Sequence, residues 1–268
     1  MNAVDVLHIK GPALTPSISW EGRQGTDADV LVRPAHVKAL LAGLERAGWR
    51  LLGRFRTSSP FEHSATLWHD DWGYVDVHRH FPGITVPASS AFERLWLDRG
   101  SRAIAGIECP VPSTTAQIVV LVLHAARARG AKSVADVEAS WGSASPDARR
   151  RVLDLVEELG ADVAFAAGTG DLERFKGARA YDLWRIASQG GTRAQEWRAR
   201  IKAAPTIRGA IRLVLRAPLV NTDHLAMLAG RRPTAREVVA EFFARPLRGL
   251  AEECRSRAFP HPRRGRRR

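Results

Sequence analysis

Cysteine is nearly absent from this chain: Cys109 and Cys254 are the only two, far apart and without metal-ligand spacing. That excludes a disulfide scaffold and a cysteine-based zinc site, and it suits a reducing compartment. Long hydrophobic runs are missing too. The longest, Ile118 to Leu123, falls far short of the about 20 residues that a membrane-spanning helix needs. The opening residues MNAVDVLHIK have neither the charged start nor the apolar stretch of a secretory signal. The expectation is a soluble, cytoplasmic protein with no membrane partner. Lysine is scarce, five residues against 36 arginines, a bias that a GC-rich genome produces by itself.

What is present is ordinary in amount and uneven in place. Of the 268 residues, 45% are hydrophobic and 26% charged, enough for one large domain or two modest ones with real cores. Up to Pro112 there are 12 basic and 12 acidic residues, so the whole net charge of +13 lies beyond it. Part of that charge sits in the closing PHPRRGRRR, which has five arginines and too little apolar content to pack. A basic half facing a neutral half can attract nucleic acid. With the arginine bias explained by codon content, nucleic acid is possible but not favoured as a partner.

The pattern of elements changes at the same place. VDVLHIK (4–10) reads as a short strand that must turn at Gly11-Pro12, and TDADVLV (26–32) as a second strand. Pro34 opens a helix in which Val37, Leu40, Leu41, Leu44 and Ala47 recur at spacings of three and four. WRLLGRFR (49–56), HSATLWH (63–69) and YVDVHRHF (74–81) read as strands, the last two joined by a turn at 70–73. From Ser113 the strand signals stop. TTAQIVVLVLHAARARG is a buried helix with a Ser/Thr cap. SPDARRRVLDLVEELGADVAFAAG is a helix capped by Ser145, with Pro146 first and Gly168 as its stop. Thr234 and Glu237 form a capping box for a helix that Pro246 interrupts. The expected layout is α+β: a mixed sheet flanked by helices over 1–112, a helical domain over 113–259, and a disordered basic tail over 260–268.

Chemistry enters with Asp27 and Asp29. In a strand, residues two apart project from the same face, so these carboxylates stand side by side. They repel one another unless a cation lies between them, and a hard divalent ion with oxygen ligands, Mg²⁺ above all, removes that repulsion. The bare D-x-D also fits solvent-facing residues at a strand start. Asp76 adds weight, because Val75-Asp76-Val77 puts an acid in the middle of an apolar strand where a lone buried carboxylate costs several kcal/mol. If the two strands are neighbours, three carboxylates share a face. They then form a pocket for two Mg²⁺ ions about 3.5–4 Å apart, a geometry used in phosphoryl and nucleotidyl transfer.

The order of these pieces is similar to the polymerase-β-like nucleotidyltransferase superfamily. Within it, the chain resembles the group of uncharacterised bacterial nucleotidyltransferases. The resemblance rests on HIKGPAL, on Arg23 to Val32 as R-x-x-x-D-x-D-V-L-V, on the helix ending ERAGW, on His63, on VDVHRHF, and on VLVLHAA with His124. It spans roughly residues 5–140. It implies a polymerase-β-like domain followed by a helical domain, and an enzyme that moves a nucleoside monophosphate, most plausibly AMP from ATP, onto a hydroxyl of an acceptor. It implies that Asp27 and Asp29 ligate both Mg²⁺ ions, and that Asp76 completes the site and helps to deprotonate the acceptor. Lys10 and Gly11 would lie under the triphosphate, and Arg23 would clamp a phosphate. Where the wider superfamily carries Gly-Ser this chain has Gly11-Pro12, so a phosphate-touching serine is absent, although the closer group also has Lys-Gly there.

By the same alternation His78 and His80 share the face of Asp76. His78 is a candidate to contact phosphate, or to orient Asp76 or a metal-bound water. His63 is a further candidate for the nucleotide, and His124, inside an apolar helix, reads as a hydrogen-bonded core residue. Trp20 and Trp72 fall in loops near the expected cleft and offer faces for a base. The alternative function is a non-catalytic or antitoxin-like protein of the same fold that holds nucleic acid or a protein partner through its basic helical half. The retention of all three carboxylates speaks against it.

Overall fold

Two parallel neighbours, β2 (Asp27–Val32) and β5 (Gly73–His78), lie within a five-stranded sheet of order β1-β2-β5-β4-β3. The computed structural model describes residues 4–25, 27–57, 59–222, 225–226 and 231–258. The tail expected over 260–268 lies outside the described residues. The remaining strands, β1 (Val6–His8), β3 (Arg50–Gly53) and β4 (Ser64–His69), all pair antiparallel with their neighbours. The β4–β5 hairpin turns where the sequence places it. β3 is shorter than the expected 49–56, and its pairing slips between Leu51 and Gly53.

Alternation along β2 and β5 gives the sheet two unlike faces. Val30, Val32, Val75, Val77 and Leu67 project one way, where Val37, Leu40, Leu41 and Leu44 of α1 (Val37–Arg46) cover them. Burying this apolar layer at about 25 cal/mol per Å² anchors the two strands in fixed register. The opposite face carries Asp27, Asp29, Thr66, Asp76 and His78 by the same alternation.

After α2 (Ala88–Leu97) the chain forms a separate hairpin, β6 (Gly100–Ile104) with β7 (Ile107–Val111), whose turn holds Ala105 at φ 51° and Gly106 at φ 79°. Then comes α3 (Thr114–Ala125), buried from Ala116 through Leu123, with the Ser113 side chain accepting from Ala116 N. It packs against α4 (Ala131–Val137), α5 (Pro146–Glu158) and α6 (Asp162–Thr169). A Cβ on Gly168 would stand 2.4 Å from Val122 O, so α6 approaches α3 as closely as only glycine allows. The single helix expected over 146–168 is thus two helices. Ser145 and Pro146 start α5 as expected, but the chain breaks after Glu158, and the end of α6 is a left-handed Gly170 rather than Gly168.

The chain divides into two compact units, Met1–Lys176 and Gly177–Arg268. The change from sheet to helix near residue 112 falls within the first unit, where β7 hands over to α3. The second unit is helical: α7 (Tyr181–Gln189), α8 (Arg193–Ala203), α9 (Ile207–Arg216) and α10 (Ala235–Ala258). Thr192 and Gln195 cap α8 reciprocally, and Thr234 and Glu237 do the same for α10. The expected interruption at Pro246 is not seen, since α10 continues through it. Proline deprives a helix of one N–H bond, a loss that a helix of 24 residues can carry. Among the described residues no helix is long and apolar enough to cross a membrane.

Candidate active site

The parallel register sets Asp29 of β2 directly beside Asp76 of β5, and Asp27 beside Tyr74. Ligand atoms of Asp29, Asp76 and His78 all lie within 4.8 Å of one another. The three expected carboxylates therefore occupy one sheet face. Asp27 stands at the mouth, half-buried, and outside this tightest group.

Asp29 is the most enclosed, with 5% of its surface exposed. Its Oδ1 accepts from Lys10 Nζ at 2.8 Å and from His78 Nε2 at 2.9 Å. Burial alone would raise its pKa. The His78 hydrogen bond and the Lys10 charge overcome that, and the carboxyl is held well below the usual range. Asp27 behaves in the opposite way: burial first, then repulsion from Asp29, pushes its pKa up against the smaller pull of Lys10. One acid of the pair is thus neutralised by protein groups and the other is not. An under-compensated Asp27 beside a set of two carboxylates and an imidazole fits a divalent cation. Asp76 Oδ1 accepts from Thr66 Oγ1 at 2.6 Å on the neighbouring β4, which fixes that carboxylate.

Lys10 reaches Asp29 because β1 ends beside it. Ile9 N donates to Asp29 O at 3.1 Å, extending the β1–β2 ladder by one residue, and the chain then turns at Gly11 with φ 62°. A side chain at position 11 would strain that turn. The Lys10 ammonium also lies 3.5 Å from His124 Nδ1 on α3, so the helix that follows β7 faces the carboxylates through this lysine. His124 is kept neutral by burial and by the Lys10 charge, with its pKa down to about 2.

The other expected residues fall into place unevenly. His78 is buried, and it orients Asp29 rather than Asp76. Among the described residues its Nδ1 has no hydrogen-bond partner. His63 is buried behind it, with ring centroids 5.0 Å apart, and its Nδ1 is bonded to Ser59 Oγ at 2.7 Å. Burial, then the charge of Arg127, holds the His63 pKa far below normal. His63 supports His78 from within the fold. His80 lies 6.4 Å from His63, ring to ring. Arg23, expected as a phosphate clamp, has two donors engaged by Asp136: Nε to Oδ1 at 2.7 Å and Nη2 to Oδ2 at 3.0 Å. Trp20 Nε1 donates to the same Asp136 Oδ1 at 2.8 Å, whereas Trp72 is exposed.

Three partners go beyond the sequence reading: Thr66, Asp136 and Arg127. Asp136 carries a signal that could have found it, since Ala135-Asp136-Val137 repeats the Ala28-Asp29-Val30 pattern of an acid among apolar neighbours. Arg127 carries none, because one arginine among 36 has no distinguishing context.

A family model described as "Uncharacterised nucleotidyltransferase" matches residues 1–175. No curated protein matches the chain. Similar solved structures include the lincosamide antibiotic adenylyltransferase LnuA with lincomycin bound, at 16% identity over 53% of this chain and 88% of that one, with a TM-score of 0.37. Another is an antigenic nucleotidyltransferase-like protein from Paracoccidioides brasiliensis, at 16% identity over 61% of this chain and 85% of that one, with a TM-score of 0.32.

Proposed function

The chain belongs to the uncharacterised nucleotidyltransferase family over residues 1–175 and is a nucleotidyltransferase; from that premise we propose that it moves AMP from ATP onto a hydroxyl of an acceptor with the help of Mg²⁺. The observation that carries this reading is the parallel register that sets Asp29 against Asp76. It brings their ligand atoms, with that of His78, within 4.8 Å of one another on the face away from α1. Asp27, Asp29 and Asp76 would hold two Mg²⁺ ions, which supply charge compensation for the phosphates and the departing pyrophosphate.

The side chains have separate tasks. Lys10 and His78 keep Asp29 ionised and fixed through two hydrogen bonds to Oδ1, leaving Oδ2 for a ligand. Thr66 holds Asp76 at one oxygen, and the other accepts the proton of the acceptor hydroxyl. The acceptor oxygen forms a bond to the α-phosphorus as the bond to the pyrophosphate oxygen breaks. Gly11 lets the backbone turn close to the phosphates, and Lys10 adds positive charge beside them. Arg23 enters through Asp136, fastening the loop that precedes Asp27 to α4. His63 acts by supporting the His78 ring.

The test is incubation with each nucleoside triphosphate and Mg²⁺, following pyrophosphate release with and without a cell extract and identifying the labelled product by mass spectrometry. Release that depends on ATP and acceptor, and is lost in Asp27→Ala and Asp76→Ala, is the expected result. Undiminished transfer in either variant would overturn the assignment.

A further inference from the structure

Arg127 lies one turn beyond His124, just past the end of α3, with its backbone N donating to His124 O at 3.1 Å. Its guanidinium carbon is 5.5 Å from the centroid of the Phe81 ring. The charges of Asp29 and Asp76 act on it, and its own charge acts on His63, His78 and His124. It therefore belongs to the same electrostatic neighbourhood as the carboxylates. Even so, among the described residues its Nε and Nη2 are buried with no hydrogen-bond partner.

Buried donors of a charged guanidinium are costly to leave without a partner, and a fold has no packing reason to keep two of them on one edge. Burial lowers its pKa only to about 10, so the group stays charged at neutral pH. Nε and Nη2 together form one edge of the guanidinium, the pair of parallel donors that matches two oxygens of a carboxylate or phosphate. The chain itself shows what that edge takes when it is satisfied. At Arg23 the same two atoms hold the buried carboxylate of Asp136. At Arg127 the edge has no hydrogen-bond partner among the described residues, although two carboxylates stand near enough to act on it.

We propose that this edge of Arg127 binds an oxyanion of the nucleotide's polyphosphate, forming with Lys10 the positive side of a site whose negative side is Asp27, Asp29 and Asp76. The proposal rests on the nucleotidyltransferase reading of those aspartates and adds a residue from the helical segment to it. Loading the edge takes a side-chain rearrangement, since Nε and Nη2 are closed to solvent, and such rotamer changes commonly accompany binding. Phosphate oxygens would replace the missing partners and bring α3 into contact with the nucleotide.

The experiment titrates inorganic pyrophosphate into the full chain by calorimetry in excess Mg²⁺, comparing wild type with Arg127→Gln and Arg127→Lys. Arg127→Gln is expected to bind pyrophosphate at least about tenfold more weakly, with Arg127→Lys in between because an ammonium keeps the charge and loses the fork. Without ligand, Arg127→Gln should melt close to wild type, since the donors it removes have no hydrogen-bond partner among the described residues. Unchanged pyrophosphate affinity in Arg127→Gln overturns the proposal, as does a wild type that binds none. If Arg127→Gln does not fold, Arg127→Lys decides alone, and equal affinity there counts against a bidentate contact. Failure of the underlying reading shows separately, as nucleotidyl transfer that survives Asp76→Asn.

Discussion

Asp29 and Asp76 are direct partners across the parallel pairing of β2 with β5, yet their surroundings differ. Asp29 takes a lysine and a histidine on its Oδ1, while Asp76 takes the neutral hydroxyl of Thr66 on its Oδ1. The difference separates their mutational signatures. Asp76→Asn keeps the shape and the Thr66 contact, so it should fold normally and lose more than about 100-fold in nucleotidyl transfer, beyond the usual effect of removing a mere supporting partner. Asp29→Asn should lose as much activity and also stability, because it removes the negative charge that compensates the buried Lys10 and strengthens the His78 hydrogen bond. Radiolabelled transfer together with urea denaturation of both variants checks the pair. Equal stability loss in the two would contradict the assigned difference.

Lys10 supports a distinct expectation. Its ammonium helps to hold Asp29 ionised and would also lie beside the phosphates. Lys10→Met removes both effects and should lower kcat/KM for the nucleotide by about tenfold or more, with a weaker effect in Lys10→Arg. A Lys10→Met variant with wild-type kcat/KM would show that the lysine is a structural counter-ion only.

Much of this site is legible in the sequence because period-two alternation carries chemistry as well as packing. Asp27, Asp29 and Asp76 stand out as acids on strands whose other face is valine, and Val30, Val32, Val75 and Val77 do form the layer under α1. The neighbouring of β2 and β5 is only conditional in the sequence, since pairing between segments so far apart is not a local property. The α2 helix escapes a sequence reading because ASSAFERLWL is short and buries only Ala91, Phe92 and Leu95, too few positions to set a period. The β6–β7 hairpin escapes it because the turn at Ala105-Gly106 places a non-glycine at positive φ. Continuous apolar spacing hides the break after Glu158. Arg127 and Thr66 acquire meaning only through what the tertiary fold sets beside them.

The Arg23–Asp136 pair is nearly sealed, with side chains 6% and 3% exposed. Asp136→Asn removes the charge that compensates Arg23 and leaves a buried guanidinium poorly paired, at a cost of about 3–5 kcal/mol. Replacing both residues with apolar ones, as in Arg23→Met with Asp136→Leu, should cost clearly less than the single change. Chemical denaturation of the single and double variants measures this. A double variant less stable than Asp136→Asn would mean that the pair contributes more than mutual compensation, for instance through Trp20.

Histidine burial sets the last expectation. His63, His78 and His124 all have pKa values depressed below the ordinary 6.5, with burial the largest cause in each. The unfolded chain takes up protons near pH 6.5 that the folded chain refuses, so acid favours the unfolded state. The stabilising contribution is complete above about pH 6.5 and is lost as pH falls below it, at a limit of about 1.4 kcal/mol per pH unit for each histidine that stays neutral. Asp29, also depressed, adds its own loss only at lower pH, below about 4. The melting temperature should therefore be nearly level from about pH 8 to 7 and fall steeply between about pH 6.5 and 5. His124→Gln, which cannot titrate, should flatten that slope whatever it does to stability at neutral pH. A melting temperature that holds level down to about pH 5 would contradict a neutral buried histidine cluster behind the carboxylates.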